Sequence, residues 1–389
     1  MTGIEWTDET WNPTTGCDKV SPGCGLPRFD GDDTGGCYAM AMAKRLKSMG
    51  QPKYQTDGDP RTSGPGFGVA VHPETLDSPL RWRKPRRVFV NSMSDLFHEE
   101  VPTDFIARVW AVMATAADHT FQILTKRHAR MRSLLSSDEF RDIVLEHWAR
   151  TMIQPPSRAQ LQFGTWPLPN VHLGVSTENQ KWADIRIPAL LDTPAAVRWI
   201  SAEPLLGPID LTRIAYTGGG GTHLDVVNGR HGVPNVWVVP AKRLDWIVCG
   251  GESGKGARPM HPAWARIVRD QCETAGVPFL FKQRGSWTWD DPGTNCTEPD
   301  TYVNRADGRT ADEHTALTDG GEWQGVWRVG KRRAGRDLDY RTHDEYPSAA
   351  GAPEQRTASR AAGTKRRRAS ERPMVDLQLP PLIHEESTR

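Results

Sequence analysis

From Arg87 onward, short apolar runs alternate with longer amphipathic stretches. The runs "RVFVN" (87–91), "TFQIL" (120–124), "NVHLGVS" (170–176), "VRWIS" (197–201), "LDWIVCG" (244–250) and "PFLFK" (278–282) have the length and residue types of buried strands. Between the first two, Ile106, Val109, Trp110 and Met113 recur at three- and four-residue spacing, which predicts an amphipathic helix with Thr103 as its N-cap. A second helix is predicted from His261-Pro262, with Trp264, Val268 and Cys272 on one face, and a third directly after Cys37.

Strands alternating with helices imply an α/β fold with a parallel sheet and helical crossovers. With one more strand before Cys17 the count reaches six or seven, which suits a parallel (β/α) partial barrel of about six strands better than an open doubly wound sheet. Residues 50–80 and 211–240, the latter containing "TGGGGTH", are rich in Gly and Pro and predict loop insertions within a barrel domain spanning 1–290. Residues 291–330 read as a C-terminal extension. Residues 331–389, with "TKRRRAS" at 364–370, read as a disordered basic tail.

A chain of 389 residues, 37% hydrophobic and with 15 tryptophans, has ample material for a large core. Its formal net charge of +1 excludes a global attraction to nucleic acid or membrane, so any such contact depends on a local patch. "WRKPRR" (82–87) and "KRRR" (365–368) are the candidate patches for phosphates, although solvated basic runs are commoner. The opening "MTGIEWTDE" lacks the layout of a secretion signal, and no apolar run approaches the ~18 residues of a membrane span. A cytoplasmic protein with no membrane partner is the expectation.

In parallel barrels chemistry collects where the strands end. The polar groups there are Asn91, Ser92, Ser94 and Asp95; Thr125, Lys126 and Arg127; Ser176, Thr177, Glu178 and Asn179; Ser201 and Glu203; Glu252 and Ser253; and Lys282. Successive strands thus deliver hydroxyls and charges to one rim, as expected around a polar ligand. Any single one of them also suits a cap or turn, but Lys126 and Glu203 are poor caps. The glycines of "CGGESG" serve a tight turn as readily as a phosphate cradle.

Half of the six cysteines, Cys17, Cys24 and Cys37, fall in one loop near the start. In a reducing compartment such clustering points to metal binding or catalysis rather than to disulfides. Three thiolates can hold a 4Fe-4S cluster with one iron left open, or zinc with a remote fourth ligand, or no metal. Cys249 and Cys272 lie in apolar patterns and are expected in the core, and Cys296 in a loop.

"WNPTTGC", "KVSPGC", "CYAMAMAKR", "VFVNSMSDLFHEEVP", "ILTKR", "GVSTENQ", "ISAEPLLGPIDL" and "WIVCGGESGKGARPMHPAW", in this order over about residues 4–290, resemble a phage- and prophage-associated family of unknown function. That family is known for a three-cysteine motif and for a genomic neighbour, the three-Cys-motif partner protein. More distantly the chain resembles the radical S-adenosylmethionine superfamily, and "ILTKR" followed by "GVST" is similar to its spore photoproduct lyase branch. The resemblance implies that Cys17, Cys24 and Cys37 ligate a 4Fe-4S cluster whose open iron chelates S-adenosylmethionine. One-electron reduction there releases a 5'-deoxyadenosyl radical that abstracts a substrate hydrogen. It implies further that Tyr38 packs beside the cluster and that Lys126 and Ser176 meet the cofactor's carboxylate. Ser92, Ser94 and Asp95 stand nearest the place of the superfamily's cofactor-amine motif, and Glu178 and Glu203 complete the cofactor-binding candidates at the rim.

The spacing here, C-x6-C-x12-C, departs from the superfamily's C-x3-C-x2-C, and residues 25–36 read as an insertion. Loop-closure cost grows only logarithmically with length, so such an insertion need not abolish ligation. Two functions stand against each other. One is a radical enzyme acting on a nucleic-acid base or nucleotide. The other is a zinc- or cluster-stapled binding protein that assists a partner without turnover.

Overall fold

A computed structural model of the chain describes residues 4–25, 36–156, 163–216, 221–233, 236–290 and 298–347. Its centre is a seven-stranded sheet of β1 (Glu9–Trp11), β2 (Arg87–Val90), β3 (Thr120–Thr125), β4 (Val171–Ser176), β5 (Val197–Ala202), β6 (Trp246–Gly250) and β7 (Phe279–Gln283), hydrogen-bonded in chain order. All six pairings are parallel. The sheet curls into a half-barrel, the expected partial barrel with its early strand included. Main crossover helices are α1 (Tyr38–Ser48), α2 (Thr103–Thr115), α3 (His128–Leu135), α4 (Asp138–Thr151), α5 (Gln180–Asp192) and α6 (Pro262–Ala275).

Period-two alternation divides the strand side chains between two cores. Val88 and Val90, Phe121 and Ile123, Ile247 and Cys249, and Phe279 and Phe281 face the helices, where they join Trp110, Ile106, Trp264, Val268 and Cys272. The intervening Phe89, Trp199, Trp246, Val248 and Leu280 fill the concave side with Trp6. Both faces are therefore apolar, which is why these strands read as nearly continuous hydrophobic runs. Gly174 makes the inner packing possible, because a Cβ there would sit 2.4 Å from the Trp199 ring.

The helix over 103–115 forms as predicted, but Pro102 occupies the N-cap and Thr103 is the first helical residue. The reason is local: proline's fixed φ suits the entry and its missing N–H costs nothing there. α6 begins as expected at His261, whose Nδ1 accepts from the Ala263 N–H at 3.1 Å.

Residues 211–240, expected as a loop, instead hold a four-stranded antiparallel sheet of Ile214–Ala215, His223–Asp225, Arg230–Val233 and Val236–Pro240. Strands this short between Gly-rich turns leave too little periodicity to detect. Residues 50–80 are mostly loop and 3-10 turns, with Ala70–Val71 pairing on Thr14–Thr15. Across the boundary drawn at 290, Trp287–Thr288 joins Trp323–Arg328, Thr301–Asn304 and Thr310–Ala311 of the extension in a third sheet.

The boundary drawn at 331 is corrected for 331–347. The His343 carbonyl accepts from Phe281 N–H at 3.0 Å, Glu345 N–H donates to the Phe279 carbonyl, and Trp246 Nε1 donates to the Glu345 carbonyl. These residues cover the free edge of β7, a position that otherwise exposes unpaired backbone. The rest of that tail, like Cys296, lies outside the described residues. Among the described residues no helix is long and apolar enough to cross a membrane.

Burial pushes His172 and His261 down to about 4 from an ordinary 6.5. The unfolded chain therefore takes up protons first, and the stabilising difference, complete above about pH 6.5, is lost as pH falls towards 4. Denaturant unfolding at stepped pH is expected to show stability declining through that window. His261→Asn, which keeps a capping acceptor but cannot titrate, is expected to make the decline shallower.

Candidate functional site at the carboxyl rim of the half-barrel

The strand ends surround one cavity of about 250 Å³, just under the ~300–1,000 Å³ common for small-molecule pockets. Its wall contains Cys17, Cys24 and Cys37 together, with Tyr38, Ser92, Ser94, Asp95, Lys126, Ser176 and Glu203. Apolar side chains Ile4, Trp6, Phe89 and Leu124 also line it, so polar ligand atoms and an apolar surface are offered side by side. Ten of the eleven residues selected from sequence thus meet at one place. Glu178 is the exception.

Glu178 is fully buried and does not line the cavity. One carboxylate oxygen pairs with Arg186 Nη1 at 2.9 Å, and the other accepts from Ser21 Oγ at 2.5 Å. Its candidacy as a cofactor ligand is corrected by these bonds: the carboxylate fastens the cysteine loop to the sheet. The same side chain lies so close to Gly23 that a Cβ on Gly23 would meet Oε1 at 2.4 Å. Gly23 belongs to the 3-10 turn Pro22–Cys24, so Glu178 sets the position of the turn that carries Cys24.

Two further carboxylates brace the loop. Asp18 accepts from Thr62 Oγ1 at 2.5 Å and Ser63 Oγ at 3.0 Å, and its other oxygen meets His98 Nε2 at 3.0 Å. Residues 50–80 therefore support the segment after Cys17. Glu252 receives Arg258 through Nε and Nη2, both at 2.8 Å, while Arg258 Nη2 also donates to the Pro22 carbonyl at 2.8 Å. Sequence reasoning missed Asp18 and Arg258, which stand outside the strand ends and acquire their roles only through long-range contacts.

At the β2 and β3 ends, Asp95 accepts from Thr125 Oγ1 at 2.7 Å, Phe97 N–H at 3.0 Å and Lys126 N–H at 2.9 Å. Ser94 Oγ lies 2.7 Å from Thr14 Oγ1 and donates to the Thr14 carbonyl, and Ser92 Oγ donates to Asn12 Oδ1 at 3.2 Å. These groups line the cavity but are engaged in knitting the strand ends together. Tyr38, the first residue of α1, donates its hydroxyl to the Ser92 carbonyl at 2.6 Å. Glu203 pairs with Lys282 Nζ at 2.9 Å and accepts from Gln283 Nε2 at 2.7 Å.

Lys126 is different. Its ammonium donates to Ser176 Oγ at 3.2 Å, and no carboxylate of the described residues lies within 4.0 Å of it. Loss of water works against its charge, but Cys24 and Cys37 where they ionise, together with the Glu178 carboxylate, outweigh it and hold the ammonium above the ordinary lysine range. Asn91, in the left-handed region at φ 63°, adds a buried side-chain amide nitrogen without a partner to the same wall. Asn is among the few residues that tolerate this backbone.

Desolvation pushes the Cys17 and Cys37 thiols up, with Asp95 adding to the effect at Cys17. Without a metal at the site they stay protonated, and a bound metal reverses that balance by displacing the protons. Among the described residues, the one set of three or more His, Cys, Asp or Glu ligand atoms mutually within 4.8 Å is Asp18, His98 and Glu100. At least one pair of the three sulfurs therefore lies more than 4.8 Å apart, wider than the ~3.8 Å edge implied by tetrahedral Zn–S bonds of about 2.3 Å. Three thiol donors on one wall suit a soft metal centre.

The glycines of "CGGESG" serve backbone contact. A Cβ at Gly251 would lie 2.1 Å from the Arg284 carbonyl oxygen, so this turn is closed against the segment after β7.

Glu178→Ala leaves Arg186 buried without its counter-charge, and a loss of about 3–5 kcal/mol in unfolding free energy is expected. Alkylation of Cys24 in the folded variant is expected to accelerate, since the turn loses its anchor; urea titration and timed mass spectrometry measure the two effects.

A family model described as protein of unknown function (DUF5131) matches residues 1–347. No curated protein and no solved structure matches the chain.

Proposed function

We propose, for a chain that belongs to the DUF5131 family and receives no activity from that membership, an iron–sulfur enzyme of the radical S-adenosylmethionine type. Cys17, Cys24 and Cys37 would hold a 4Fe-4S cluster. Bound there, the cluster supplies one electron for reductive cleavage of the sulfonium. The observation that carries the reading is the company these thiols keep: they share one wall with Lys126, a cation that has no carboxylate partner among the described residues.

The chain's own groups divide the remaining work. Lys126 and Ser176 offer a charge-assisted pair of donors to the carboxylate of S-adenosylmethionine. Asp95 fixes Lys126 through its backbone N–H rather than neutralising its ammonium. The unpartnered Asn91 amide provides another donor on the same wall. Ile4, Trp6, Phe89 and Leu124 supply an apolar lining that keeps water from a reactive centre.

Protein purified anaerobically and reconstituted with iron and sulfide is expected to be brown and, once reduced, to form 5'-deoxyadenosine from S-adenosylmethionine. Cys17→Ala, Cys24→Ala and Cys37→Ala are each expected to lose the visible absorbance and the product. Colourless wild-type protein carrying stoichiometric zinc would instead establish the stapled binding module.

Lys126→Met is expected to retain the colour while weakening S-adenosylmethionine binding by about 10- to 100-fold, the range for a charged hydrogen bond of about 1.5–3 kcal/mol. Calorimetric titration of the reconstituted variant reads it.

A further inference from the structure

Beside the cysteine cavity lies a second and larger hollow of about 940 Å³, near the upper end of the ~300–1,000 Å³ range of ligand clefts. The Pro22–Cys24 turn stands between the two. Pro22 lines the larger hollow, whereas Gly23 and Cys24 line the cysteine cavity, so three consecutive residues form the shared wall. The other side of the hollow is built by the small sheet that follows β7.

Its charge is one-sided. Lys255, Arg258, Arg309 and Arg328 all line it, and neither Asp nor Glu does. Arg258 is neutralised by Glu252, and Arg309 by Asp319 and Asp307. The Lys255 ammonium and the Arg328 guanidinium have no carboxylate of the described residues within 4.0 Å, although the Arg328 backbone N–H donates to Asp300 Oδ2 at 2.6 Å. Arg328 is held in place without being neutralised: it donates to the Gly254 carbonyl at 3.2 Å and lies over the Trp287 ring at 5.7 Å. A nearly neutral chain has therefore placed two uncompensated cations in the hollow next to its thiols. The "GKGARP" stretch (254–259), whose Arg258 braces the cysteine loop, supplies one of them, Lys255.

We infer that this hollow binds the phosphates of the substrate, a nucleotide or a single strand of nucleic acid, and so holds the reacting unit next to the cysteine cavity. Two cations without counter-charges, Arg328 held in place and Lys255 exposed to solvent, suit phosphate oxygens. Their attachment to separate segments, the loop after β6 and the strand Trp323–Arg328, suits successive phosphates along a chain. As an assignment of substrate class this rests on the reading of the cysteine site given above; as an assignment of a phosphate-binding site it does not.

The test uses full-length protein without reconstitution, so that binding is read apart from any cluster. Fluorescence anisotropy follows a labelled single-stranded 12-mer of DNA or RNA, and competition with nucleoside mono- and triphosphates separates a strand from a free nucleotide. Lys255→Glu with Arg328→Glu is expected to weaken binding by at least tenfold and to flatten its salt dependence. Arg141→Glu with Arg150→Glu, the same charge change on α4, is expected to leave binding within twofold. Both pairs are repeated with residues 365–368 replaced by alanine, which removes the "KRRR" run as a competing site. Equal losses in the two pairs, or no binding of either ligand class by wild-type protein, would overturn the inference. Retained phosphate binding in protein that proves unable to hold iron would overturn only the cysteine-site reading.

Discussion

The candidate site depends on a buried carboxylate that faces two ways. Glu178, at the end of β4, spends one oxygen on Arg186 of α5 and the other on Ser21 of the cysteine loop. Burying such a pair is costly, and its attraction repays the cost only when the remaining hydrogen-bonding capacity is satisfied. Ser21 satisfies part of it, which couples the position of the cysteine turn to the integrity of the barrel core. The loop need not find its own fold, because an ion pair inside the sheet-helix interface defines where it rests.

Around that anchor the charges are sorted by role. Asp18, Asp95 and Glu252 are bound up in holding backbone and neighbouring side chains, and Glu203 in pairing with Lys282. Lys126 remains in the cysteine cavity and Lys255 and Arg328 in the adjoining hollow, their charged groups all without a carboxylate partner among the described residues. Free cations beside protonated thiols form an arrangement that gains from anionic ligands and from a metal centre able to displace the thiol protons.

Much of this is legible in sequence because strands buried on both faces stand out as short, nearly continuous apolar runs. Six apolar runs matched strands, and the rule that parallel-barrel chemistry gathers at strand ends brought ten of the eleven selected residues to one cavity. Glu178 was mistaken for a ligand because position along the chain cannot reveal which way a rim carboxylate turns; only Arg186, eight residues later on α5, and Ser21 decide it. The sheet in 211–240 escaped because strands of two to five residues carry too little pattern. The segment 331–347 joins the fold through backbone pairing on β7, ion pairs of Asp339 with Arg266 and Arg269, and the buried Leu338, which together leave little trace in composition. The phosphate hollow was invisible because Lys255 and Arg328 are far apart in sequence and become neighbours of one cavity only after folding.

Mössbauer spectroscopy of iron-57-reconstituted protein, with and without S-adenosylmethionine, addresses the three-thiol centre most directly. The account predicts a 4Fe-4S spectrum in which about one iron in four changes when the cofactor is added, the one without a cysteine ligand. A spectrum unchanged by the cofactor, or a protein that takes up no iron, would contradict it.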